Sequence, residues 1–137
     1  MKKALLFVLA LVVIPVGVDA QVEPPISVVG QAIELLPINT NQNRFSKVAR
    51  LTLTIRNNTS QAISAWRAQV HFTDPFGDFM FQTEFTAGMA DMSPNGTSEE
   101  QLDFGDFPNS RKTPYQHLAQ FTASIIGIRF EEIQVAN

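Results

Sequence analysis

The sequence predicts an all-β chain, an antiparallel sandwich of about seven short strands, and three observations predict it. The run from Lys47 to Arg56 alternates: Ala49, Leu51, Leu53 and Ile55 fall on one face, Arg50, Thr52, Thr54 and Arg56 on the other. A second run repeats the pattern, with Trp66, Ala68, Val70 and Phe72 set against Arg67, Gln69, His71 and Thr73. Successive strand side chains point to opposite faces, so a period of two marks a half-buried strand. Turn residues punctuate these runs at fairly even spacing, and no run has helical periodicity, which together favour a sandwich.

The N-terminus comes first. Lys2 and Lys3 precede an apolar stretch, Ala4 to Ile14, then Pro15 and the Val18-Asp19-Ala20 cleavage pattern. This is a signal peptide expected to be cut after Ala20, leaving one domain over 21–137. The apolar run is shorter than the roughly 20 residues a membrane span needs. Ile26 to Leu36 reads as the first strand, with Gly30 marking a bulge or close backbone approach. Pro37 to Arg44 is a loop rich in Asn and Thr, and the two alternating strands come after it. Asn57 to Gln61 breaks the chain between them. Asp74-Pro75-Phe76-Gly77-Asp78 has the Asp, Pro and Gly positions of a type I turn. Phe79, Phe81 and Phe85 alternate with Met80, Gln82 and Glu84 as a fourth strand, and Ala87 to Gly96 reads as a long connection. Thr97 to Phe104 is the fifth strand, and Gly105 to Pro114 is irregular. A sixth strand is expected from Tyr115, carrying Tyr115, Ala119, Phe121 and Ala123 on one side. The apolar parity switches near Ile126, and a last strand runs to about Val135. This layout points to an immunoglobulin-like arrangement with Trp66 buried between the sheets.

Composition narrows the function classes. Removing the leader takes two of ten basic residues and one of thirteen acidic ones, so 8 − 12 gives a net charge of −4. Mild, dispersed acidity argues against nucleic acid or an anionic membrane as partner. The chain has no cysteine, and an exported domain without disulfides suits a bacterial envelope, periplasmic or extracellular. The expected partner is another envelope protein, with no cofactor.

The middle of the chain resembles the small immunoglobulin-like domains of bacterial secreted proteins called FxLYD domains. The residues that carry this are Leu53, Ile55, Asn57 and Asn58, then Ile63, then Val70-His71-Phe72-Thr73-Asp74 with Gly77, and Pro94-Asn95-Gly96-Thr97. The resemblance spans roughly Val48 to Phe104. It departs from the family pattern in lacking the tyrosine of the core motif and in carrying Asn95 within the Pro-Gly turn. It implies a sandwich fold and an envelope setting, and brings no catalytic residue.

Candidate chemistry is sparse. There is no cysteine nucleophile and no Gly-x-Ser-x-Gly elbow, and the two histidines, His71 and His117, lie far apart in sequence. His117 could meet Asp103 or Asp106 across strands. Met80, Met89 and Met92 with His71 form a soft set of the kind that holds Cu(I), although no His-x-Met pair is present. Asp74, Asp78, Asp91, Glu99, Glu100, Asp103 and Asp106 lack the Asp-x-Asp-x-Asp-Gly spacing of a calcium loop. Asn57, Asn58 and Asn95 each open an N-glycosylation triplet. Phe76 and Phe107, aromatic residues in loops, are the expected partner-binding contacts.

Overall fold

The two alternating runs form the central strands of two sheets. The computed structural model describes residues 22–106 and 113–137; the leader and Phe107 lie outside these. The strands are β1 (Ile26–Leu36), β2 (Val48–Asn57), β3 (Ile63–Thr73), β4 (Phe79–Met92), β5 (Thr97–Gly105) and β6 (Gly127–Ala136). They pair antiparallel in the orders β1-β2-β5 and β4-β3-β6. β4 shifts register between Gly88 and Met92. In immunoglobulin terms the first sheet matches strands A, B and E, and the second matches C′, C and F.

Alternation sets the core. Ala49, Leu51, Leu53 and Ile55 are fully buried on β2, and Trp66, Ala68, Val70 and Phe72 face them from β3. Trp66 lies between Phe85 and Phe130, with ring centroids 5.1 and 5.4 Å away. Phe72 stacks on Phe81 at 4.4 Å, and Phe104 meets both edge-on. The bulge expected at Gly30 is present as a register shift between Val28 and Gly30.

Two expectations of secondary structure are corrected. The segment read as a sixth strand is a short helix, α1 (Pro114–Leu118), followed by a 3-10 turn at Ala123–Ile125. Proline sits at the start of α1, where its fixed φ suits a helix and its missing N–H costs nothing. Leu118, Ala123 and Ile126 of this connection are buried. The Gln31 side chain ties it to β1 by donating to the carbonyls of Ala123 and Ile126. The second correction concerns the stretch read as a connection from Ala87, which continues as strand to Met92. Among the described residues no helix is long and apolar enough to cross a membrane.

Candidate functional site

The two ends of the sandwich differ in chemistry. At one end the β2–β3 corner meets the β4–β5 turn, and Asn57 joins them. Its side chain is fully buried; Nδ2 donates to the carbonyls of Gln61 (2.7 Å), Met92 (3.2 Å) and Ser93 (3.2 Å). Its Oδ1 accepts from the Thr59 N–H at 2.8 Å and hydroxyl at 2.7 Å. Asn58 donates to the Pro24 carbonyl, so the chain enters here, and Asn137 reaches Gln61 at the same end. This end is polar and fixed by its own hydrogen bonds. Its glycosylation triplets are unequal, because the Asn57 amide is enclosed whereas Asn95 is exposed with φ of 58°.

At the other end lie the β1–β2 loop, the β3–β4 turn and the described part of the β5–β6 connection, the last two in contact. Among the described residues, six of the nine exposed large apolar side chains lie there: Leu35, Ile38, Phe45, Phe76, Phe79 and Ile125. One of them, Phe76, projects from a tightly built turn. Phe76 is 88% exposed, yet its backbone N–H and that of Asp78 both bond to the Asp74 carboxylate at 2.9 Å. The Gly77 N–H closes the turn on the Asp74 carbonyl, and Gly77 adopts φ of 88°. Phe45 is 73% exposed beside a miniature hairpin. There Asn39 and Arg44 exchange both backbone hydrogen bonds at 2.9 Å, and the Arg44 side chain donates to the Pro37 carbonyl. Phe45 and Ile38 flank that pair. Sequence reasoning reads this loop as polar and misses Phe45, since nothing in the local pattern says which loop aromatics are left outside. It also places Phe79 in line with the core. A register shift between Phe72 and Thr73 turns Phe79 outward, while Met80 packs against the core.

The sheet edges carry features that discourage strand addition. β1 is bulged at Val28–Gly30, β4 is irregular at both ends, and β6 is bulged beside Glu132, which adopts φ of 51°. β5 is regular, but Glu100 lies opposite Leu53 on the inner face and accepts a hydrogen bond from Ser98. An inward carboxylate blunts an edge, because a pairing strand must bury it.

The candidate metal ligands are spread apart. Met92 is buried against Ile63, whereas His71 stands on the outer face of β3, eight positions along; at about 3.3 Å per residue they are roughly 26 Å apart. Met80 packs against the core from the far end of β4. Met89 has no described side chain. Among the described residues no three His, Asp or Glu side chains converge on one point. The carboxylates have other duties. Asp74 caps its turn, and Glu131 sits 3.2 Å from His71 Nε2 and 2.6 Å from Arg129. His117 is half-buried on α1, near Phe81. The histidine–carboxylate pair is therefore His71 with Glu131, across β3 and β6.

Asp103 instead pairs with Arg50 through two parallel hydrogen bonds of 2.9 Å. The Arg50 guanidinium holds the Asp103 carboxyl below its ordinary value of 3.8. A lowered carboxyl stabilises the fold at pH values above its unfolded pKa, and that contribution disappears as pH falls through the folded value. Both groups are well exposed, so the effect is small and sensitive to salt. Urea unfolding between about pH 5 and pH 2 is expected to lose this increment in the Arg50→Ala protein, whose profile runs flatter than wild type over that window. Compared with family models, with curated proteins and with solved structures, the chain finds no match in any of the three.

Proposed function

We propose that this chain is a non-catalytic binding or structural module of the cell envelope, exported and cut after Ala20. In this reading it meets a partner protein through the apolar end of its sandwich. One observation carries it: Phe76 is held in water by a turn whose backbone and side-chain hydrogen bonds fix it in place, and Phe45 stands exposed at the same end. An exposed aromatic adds little to the stability of its own fold, whereas a rigid one loses little freedom on binding and makes an effective anchor. The bulged and blunted edges favour loop contact over strand addition as the mode of binding. The resemblance to FxLYD domains agrees with an envelope setting.

The test is a pair of proteins recovered from the envelope fraction, wild type and the Phe45→Ser/Phe76→Ser double variant. The mature chain is expected to begin at Gln21. The double variant is expected to keep its unfolding free energy within about 0.5 kcal/mol per site, as exposed positions do, while losing the partner that co-purifies with wild type. Retention of that partner, or collapse of stability, contradicts the reading.

A further inference from the structure

Two depressions, of about 340 and 430 Å³, adjoin beside Phe76 and share Gly77 and Gly127. The first lies on the outer face of the second sheet, lined by His71, Thr73, Phe79 and Arg129; the second turns the corner past Asp74 and Ile125. Together they form one groove, joined at these two glycines. Gly127 lacks room for a side chain, since a Cβ there would collide with the Thr73 hydroxyl. The apolar walls are Phe79 and Ile125, both exposed. The charged end differs. The Arg129 side chain is 71% exposed, pairs with Glu131 at 2.6 Å and stands beside His71. A guanidinium has five N–H donors, so most of its capacity faces solvent. The acid at the opposite end, Asp74, is occupied by two backbone N–H groups.

We infer that this groove binds an extended segment of the partner protein carrying an aliphatic side chain and, two residues on, an acidic side chain. The inference rests on the reading of the chain as a partner-binding module. In an extended segment, residues i and i+2 point the same way about 6.5 Å apart. The aliphatic group would settle between Phe79 and Ile125, and the carboxylate would take the free donors of Arg129. Glu131 competes for those donors, which gives the site a distinctive sign: removing a carboxylate from the protein strengthens binding of an acid.

The probes are an acetylated, amidated peptide, Gly-Ile-Thr-Glu-Thr-Gly, and its counterpart with Gln in place of Glu, titrated into isotope-labelled protein and followed by NMR. Shifts are expected at Phe79, Ile125, Gly127 and Arg129, with the Glu peptide about fivefold tighter, the scale of an exposed ion pair. Arg129→Gln is expected to erase that difference and Glu131→Gln to enlarge it. Equal binding of the two peptides, no binding, or shifts confined to Phe45 and Phe76 overturns the inference. So does capture of phosphatidylglycerol vesicles with neither peptide bound. If the peptides fail while Phe45→Ser/Phe76→Ser still releases the partner, the groove assignment falls and the module reading stands.

Discussion

Replacing Trp66 with alanine is expected to lower stability by about 4 kcal/mol, the scale of a large aromatic deleted from a core. For a domain of this size that corresponds to a fall in melting temperature on the order of 15 °C. Trp66 is only 2% exposed and is flanked by Phe85 and Phe130 from the two neighbouring strands of its own sheet. The conservative change is more telling. The indole Nε1 is buried and has no hydrogen-bond partner among the described residues, and an unmet buried donor costs about 1–3 kcal/mol. Trp66→Phe discards that donor together with some volume, so the two effects oppose each other. Its expected loss is under about 1.5 kcal/mol, well short of the alanine value. Denaturant unfolding of both variants checks this. If phenylalanine costs as much as alanine, the indole N–H has a partner that the packing does not reveal.

Asn57→Ala is expected to cost about 3 kcal/mol, although it removes only a small polar group. The change strands the buried carbonyl of Met92 and leaves the partly buried carbonyls of Gln61 and Ser93 and the N–H of Thr59 without their partner. Asn57→Asp separates donor from acceptor. It keeps the oxygen that Thr59 uses and points a second oxygen at three carbonyls, so near neutral pH it is expected to cost at least as much as alanine. Its deficit relative to wild type should shrink as the pH drops and the carboxyl gains a proton to donate. A cost below about 1 kcal/mol for Asn57→Ala means that the polar end does not depend on this residue.

These two residues also mark what could be read from the sequence. Trp66 was legible because period-two alternation on β3 places it among Ala68, Val70 and Phe72, and burial is then a matter of parity. Asn57 was not. Locally it is one more breaker in an Asn-Asn-Thr-Ser-Gln cluster, and its role depends on carbonyls 35 and 36 positions away. The same distinction explains the misread segments. α1 is five residues long, too short for helical periodicity, so Tyr115, Ala119, Phe121 and Ala123 could be fitted to alternation instead. The Pro114 start signal was the better guide. Phe79 was misplaced because one register shift exchanges the inner and outer faces on either side of it. Phe76 was legible as a turn residue from Asp74, Pro75 and Gly77. The apolar end as a whole was not, since it assembles from loops and strand ends separated by up to ninety positions, Leu35 to Ile125.

The most direct test of the binding end is photo-crosslinking in intact cells, with a crosslinking amino acid placed at position 76 on the apolar end or at position 95 on the polar end. A discrete adduct to one protein is expected from position 76 and not from position 95. Adducts from position 95 alone, or the same adduct from both, contradict the assignment of the apolar end as the docking surface.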